Sequence, residues 1–279
     1  MKPKTHTTVL SLAICFVGLH MAGDARAEHH ADSVTSGLMK AVGGAHRSPA
    51  NQARDENRDP VETLGFFGIE PGMTVIELWP GGGWYTEILA PFLREKGTLV
   101  AASYGMDTTP EYRPRLHKAL MEKVAGNPAV YGSVKIIEWD PPRKNSLGAP
   151  GSADMVLTFR NTHSFINNGL AEGVFAEAFK VLKPGGVLGI VQHRAAPGAP
   201  ADSSKSGYVT EQAVIALAQG AGFVAEARSE INANPKDSHD HPEGVWTLPP
   251  SYRLGDVDKE LYRGIGESDR MTLRFRKPR

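Results

Sequence analysis

Between residues 73 and 277 the chain alternates short, continuously apolar runs with longer amphipathic stretches, and no other feature limits its choice of fold so tightly. The runs are "MTVIEL", "GTLVAAS", "SVKIIEW", "ADMVLTF", "GGVLGIVQH" and "GFVAEARSE". Helix-length segments at 84–95, 110–125, 166–182 and 209–221 lie between them. Uninterrupted Val, Ile and Leu suit strands buried on both faces, and parallel strands need a crossover that a helix supplies. The pattern predicts a seven-stranded, mostly parallel sheet with helices on both faces. The final run, "DRMTLRFRK", alternates apolar with charged residues, so it is expected to be antiparallel with one exposed face.

A chain of 279 residues, 41% hydrophobic, is long enough for one α/β domain with a full core. Its formal net charge is zero, so nothing suggests a polyanion-binding face, and nucleic acid is not an expected partner. "SPANQARDENRDPVETLGFFGI" reads as two short helices, the first capped by Ser48 and the second begun by Pro60. Residues 230–270, between the last two strands, are rich in Pro, Asp and His. Trp246, Leu248 and Tyr252 give this long connection apolar anchors, and an ordered flap is expected.

The N-terminus carries a separate message. A basic start, "MKPKTH", precedes the apolar run "TTVLSLAICFVGLHMAG" and then "DARA", with small residues at Ala25 and Ala27. This is the layout of a secretory signal peptide over 1–27, cleaved after Ala27. The run is short for a bilayer span and is interrupted by His20, so no stable membrane insertion is expected after cleavage. Cleavage would also remove Cys15, the only cysteine, leaving a thiol-free domain suited to an oxidising compartment such as the periplasm. Residues 28–46 are small and polar and read as a flexible lead-in to a domain over 47–279.

The chemistry concentrates at "VIELWPGGGWYTEIL". A buried strand ends near Glu77, the glycines Gly81, Gly82 and Gly83 follow, and a helix begins. Glycine permits a sharp turn and close backbone approach, and the helix start offers free N–H groups to an anionic or carboxylate moiety. No Lys-Ser/Thr pair follows, which argues against a nucleoside triphosphate loop.

"VIELWPGGGWYTEIL" resembles the first motif of class I S-adenosylmethionine-dependent methyltransferases, and "EAFKVLKPGGVLGIVQH" resembles that family's Lys-Pro-Gly-Gly turn and fifth strand. The resemblance runs from about Val61 to Lys277 and implies a Rossmann-like fold. With the signal peptide and "DHPEGVWTLPPS", it looks like an exported subgroup of predicted methyltransferases. The resemblance implies that S-adenosylmethionine is the cofactor. Glu77 would then lie near the methionine amino group, Gly81 to Gly83 would line the methionine moiety, and Asp140 would contact the adenine amino group. Two departures stand out. Trp79 replaces the first glycine of the turn, and strand two ends "AASYGM", without the acidic residue that grips the ribose. Ser103 or Tyr104 would substitute with single hydrogen bonds, and Trp79 offers a ring for stacking on a cofactor or a cation. For Trp84 and Tyr85, core packing beneath the loop is the competing role.

The polar cluster Arg160, Asn161, Thr162 and His163 follows strand four, where the resemblance places catalytic residues. His163 is the expected base near neutral pKa, with Asn161 as a positioner and Arg160 serving the acceptor. The competing role for His163 is a helix cap or a backbone hydrogen bond. His193 and Arg194 after strand five and His239-Asp240-His241 in the flap are expected on the same rim. Their spacing matches no ligand pattern, and no metal is assigned. The sequence therefore points to an exported methyltransferase acting on a small molecule. The alternative is a non-methylating ligand- or metal-binding protein on the same fold.

Overall fold

The computed structural model describes residues 17–279. A seven-stranded sheet of order β3-β2-β1-β4-β5-β7-β6 forms its centre. The strands are β1 Thr74–Leu78, β2 Thr98–Ser103, β3 Lys135–Glu138, β4 Ala153–Phe159, β5 Leu182–His193, β6 Val224–Ser229 and β7 Arg270–Arg276. Strands β1 to β5 pair in parallel. β7 is inserted antiparallel between β5 and β6. The sheet is the Rossmann-like architecture expected from the alternation of apolar runs and helices.

The helices α1 Val17–Val42, α3 Pro60–Phe67 and α4 Thr86–Leu93 cover one face, and α8 Ala171–Val181 and α9 Glu211–Gly220 cover the other. Successive side chains of a strand point to opposite faces. Val75, Met155 and Leu157 accordingly join the first core, while Ile76, Leu78 and Val156 join the second. Gly189 of β5 permits one close approach: a Cβ there would meet Leu157 at 2.7 Å and the Phe67 ring at 2.8 Å. The longer helix α5 Tyr112–Gly126 and the short helices α2 Pro49–Gln52, α6 Pro128–Tyr131, α7 Thr162–Asn167 and α10 Lys259–Ile265 join the other helices. Pro60 opens α3, and Ser48 caps α2 by accepting from the Asn51 N–H at 3.2 Å.

Three local expectations differ from the structure. Residues 28–42 are helical, part of α1, where a flexible segment was expected. Val34, Leu38 and Ala41 recur at helical spacing and are buried against α4. Gly37 brings the backbone close to the Phe92 ring, 3.2 Å from a Cβ built there, so a stripe of few apolar residues suffices to dock the helix. The expected cleavage after Ala27 falls within this helix, and residues 1–16 of the expected signal peptide lie outside the described residues. Second, the single helix expected at 166–182 is two helices, α7 and α8, parted at Gly169, whose φ of 64° is left-handed. Third, β7 is interior. Its Arg274 and Arg276 pair with Glu226 of β6, which satisfies charges that the alternating pattern assigned to solvent.

The 230–270 connection is ordered around Asp237. That carboxylate accepts from the Tyr208 hydroxyl at 2.9 Å, from His241 Nε2 at 2.8 Å and from the Asp269 N–H at 2.7 Å. Among the described residues no helix is long and apolar enough to cross a membrane.

Candidate active site

Beyond β1 the chain moves outward through β2 and β3 and returns at β4 on the other side of β1. The carboxyl ends of β1 and β4 therefore flank the switch point, where open α/β sheets bind ligands. A cavity of about 790 Å³ lies there, within the range of small-molecule sites. The ends of β1, β4 and β5 and the flap residues Val245, Trp246 and Arg253 all contribute to its lining.

The loop after β1 is built around a strained tryptophan. Trp79 has φ 42°, the left-handed region in which a residue other than glycine costs roughly 1–3 kcal/mol. Its N–H donates to Ala102 O at 2.8 Å, and the Asn161 side-chain amide donates to Leu78 O at 3.0 Å and Trp79 O at 3.3 Å. The indole N–H reaches Trp139 O at 3.2 Å. The indole ring lies 4.7 Å from Phe165, 4.9 Å from Tyr104 and 5.8 Å from Trp139 between centroids, with the Arg113 guanidinium 4.9 Å away. Burial of a large aromatic thus offsets the backbone strain. Asn161, expected to position an acceptor, positions this loop.

Past Trp79, Gly81 and Gly82 line the cavity, and a Cβ built on either meets nothing within 4 Å. Their open face is a cradle that a ligand can occupy against bare backbone. Gly83 turns away: its Cβ would touch Leu120 at 3.1 Å, and it serves packing beneath the loop. Glu77 lines the cavity at its floor and accepts from the Thr86 hydroxyl at 2.6 Å. Burial raises its pKa to about 7, against the opposing pull of the Thr86 hydrogen bond and the Lys123 and Arg160 charges.

The structure divides the remaining sequence candidates. Tyr104, Arg160 and His163 line the cavity with Trp79, while Asp140 does not. Asp140 is buried, and its carboxylate is held by Arg143 Nε at 3.0 Å. Ser103 is buried with no hydrogen-bond partner for its hydroxyl among the described residues. Tyr85 stacks on Phe159 at 3.5 Å between centroids, and Trp84 donates to Asn51 O at 3.0 Å, so both pack beneath the loop while also edging the cavity.

His163 is not a base of near-neutral pKa. Burial lowers its pKa to about 4, the nearby Arg160 charge adds to that, and the Gln192 amide at 3.4 Å from Nδ1 only partly opposes it. The ring is neutral across the physiological range. His193 lies 5.7 Å from it between centroids, and burial likewise depresses its pKa well below the usual value. The other histidine loop does not join them. His239 bonds Asp269 at 3.2 Å, His241 bonds Asp237, and Arg194 pairs with Asp269 at 2.8 Å. Among the described residues no three His, Cys, Asp or Glu side chains are placed to hold a metal.

A cluster of arginines escaped the sequence reading. Glu267 Oε1 accepts from Arg54 Nε at 2.6 Å, and Oε2 accepts from Arg58 Nε at 3.1 Å and from Arg270 Nη2. Arg160 Nη1 lies 3.9 Å from the same oxygen. Arg58, Arg270 and Glu267 are buried, and burial of uncompensated charge costs several kcal/mol per ion. Burial alone would raise the Glu267 pKa, but the guanidinium groups, led by Arg270, hold it well below the usual carboxylate range. The signal was thin: Arg54 and Arg58 lie in a charge-dense stretch that reads as a solvated helix face, and Glu267 lies more than two hundred residues away.

Solved structures that superpose on this chain at low sequence identity include SAM-dependent methyltransferases. A SAM-dependent methyltransferase from Aquifex aeolicus superposes with TM-score 0.54 at 18% identity, covering 87% of this chain and 98% of its own. A SAM-dependent methyltransferase from Methanosarcina mazei superposes with TM-score 0.51 at 12% identity over 77% of this chain and 96% of its own. The [4+2]-cyclase SpnF gives 0.55 at 15% identity over 90% and 95%. No protein-family model matches the chain, and no curated protein sequence matches it. The fold is that of the class I S-adenosylmethionine-dependent methyltransferases.

Proposed function

We propose that the protein is an exported methyltransferase that uses S-adenosylmethionine to methylate a small molecule. The observation that carries this reading is the open backbone cradle of Gly81 and Gly82 above the buried Glu77 carboxylate, at the switch point of a methyltransferase fold. The cofactor, when bound, supplies an electrophilic methyl group on a sulfonium. Glu77 has a free carboxylate oxygen to accept from an α-ammonium group, and the glycines admit the methionine chain against the backbone. Trp79, Tyr104 and Tyr112, with the aliphatic Leu116, give the adjoining wall a mainly aromatic face for the adenosine end. Neutral His163 is able to accept a hydrogen bond from the acceptor but is a weak general base. Export rests on the basic start, the apolar run and the Ala25-Arg26-Ala27 cleavage pattern.

Trp79 favours a second reading. Its indole packs on Tyr104 and Trp139, the side of the cleft where the resemblance puts the ribose and adenine contacts, and Asp140 is engaged by Arg143. A non-methylating protein that binds an exported small molecule in the same cavity accommodates these departures, and the match to a [4+2]-cyclase is compatible with other chemistry on this fold. Isothermal calorimetry with S-adenosylhomocysteine separates the two. Saturable heat in the micromolar range that is lost in Glu77→Gln supports methyl transfer, and no heat at high micromolar ligand leaves only the second reading.

A further inference from the structure

We propose that the arginine end of the cleft binds a multiply charged oxyanion, of the phosphate or polycarboxylate kind, which anchors the small-molecule substrate. The proposal rests on this cleft being the ligand site and holds whether or not a methyl group is transferred. Arg54, Arg160 and Arg270 line the cavity from three separate parts of the chain, with Arg58 directly behind them. Among the described residues, Glu267 is the only carboxylate in an ion pair with any of the four. One carboxylate facing four guanidinium groups leaves most of their charge uncompensated.

The hydrogen-bond inventory agrees with the charge. Both Oε atoms of Glu267 are engaged, yet Arg58 Nη1 and Nη2 and Arg270 Nε are buried without a partner among the described residues. Arg270 is 2% exposed and contributes to the cavity lining. Arg160 makes no side-chain hydrogen bond among the described residues; its closest acidic neighbour is Glu267 Oε2 at 3.9 Å. Guanidinium forks match the geometry of phosphate and carboxylate oxygens, and several forks converging on one point suit an anion of more than a single charge.

Two other occupants fit less well. The methionine end of S-adenosylmethionine brings a carboxylate together with an ammonium and a sulfonium, so it adds positive charge to a site already in excess. A nucleic acid backbone needs its cations on an open face, whereas these are recessed in a cavity of a chain with zero formal net charge.

The test is calorimetric titration of the purified protein with inorganic phosphate, succinate and acetate at one fixed ionic strength, which separates site binding from screening. Phosphate or succinate is expected to bind one site at least about tenfold more tightly than acetate, and the tighter of the two identifies the substrate's anionic group. Arg160→Gln is expected to weaken that binding by about tenfold or more without lowering the thermal midpoint of the unliganded protein. Equal weak binding of all three anions overturns the proposal, as does unchanged binding in both Arg160→Gln and Arg54→Gln. Protein saturated with S-adenosylhomocysteine should still bind phosphate. Mutual exclusion would assign the arginines to the cofactor's carboxylate and overturn the proposal. If S-adenosylhomocysteine does not bind at all, the anion titrations stand unaffected and only the methyl-transfer reading falls.

Discussion

The two ends of the cleft solve the problem of strain and burial in opposite ways. At the Trp79 end a left-handed backbone is held by aromatic packing, and the indole N–H donates to Trp139 O. At the Glu267 end charges are buried beyond what the protein itself compensates, and donors are left without partners. The first end rests on packing, whereas the second carries guanidinium charge that the proposed oxyanion would compensate. The difference teaches where recognition is concentrated. The aromatic end supplies shape to whatever lies across it, and the cationic end supplies the charge that selects.

The largest expected effect breaks the cationic end. Glu267→Gln removes the one carboxylate shared by the arginines, and urea denaturation should show a loss of about 3–5 kcal/mol, as when one partner of a buried ion pair is deleted. A loss below about 1 kcal/mol would mean that solvent already screens the cluster.

Next comes the pH dependence of stability at His163. Unfolded, the imidazole takes a proton below its ordinary pKa of 6.5, while the folded ring resists until about 4. Acid therefore favours the unfolded chain across that window, and stability should rise by about 3 kcal/mol between the two values. His163→Gln should remove that share of the slope, with His193 still contributing in the same sense. An unchanged slope by thermal melts would show that the ring is wetter than its burial implies.

Glu77 gives the same sign, but in a binding measurement and at higher pH. Its carboxyl ionises at about 7, so affinity for S-adenosylhomocysteine should climb as pH passes upward through that value. Glu77→Gln should bind more weakly by about 1.5–3 kcal/mol and should lose the pH dependence.

The smallest net effect sharpens the aromatic end. Trp79→Gly loses an indole worth about 3–5 kcal/mol of packing and relieves roughly 1–3 kcal/mol of backbone strain. A net destabilisation of about 2 kcal/mol follows. The space released beside Tyr104 should tighten S-adenosylhomocysteine by about tenfold if the indole restricts the adenosine end. Weaker binding would instead make the indole a stacking surface.

The sequence by itself determined the sheet and the floor of the site. Apolar runs of strand length separated by helix-length stretches admit few architectures, because such strands must be covered on both faces. The glycine loop was legible for the same local reason: consecutive glycines after a buried acidic strand end mark a backbone that a ligand approaches. His163 was found by its place after β4, but its protonation was misjudged, since a pKa depends on burial and on charges from other elements. Asp140 was located after β3, but only the folded chain shows that Arg143 takes its carboxylate. Trp79 was visible as a departure, while its burial among Tyr104, Trp139 and Phe165 required β2, β3 and α7 to converge. The arginine cluster was decided by tertiary structure alone. Arg54, Arg160 and the Glu267–Arg270 pair come from distant parts of the chain, and charge excess is a property of what meets in space. Periodicity is written along the chain, whereas compensation of charge exists only between groups that the fold brings together.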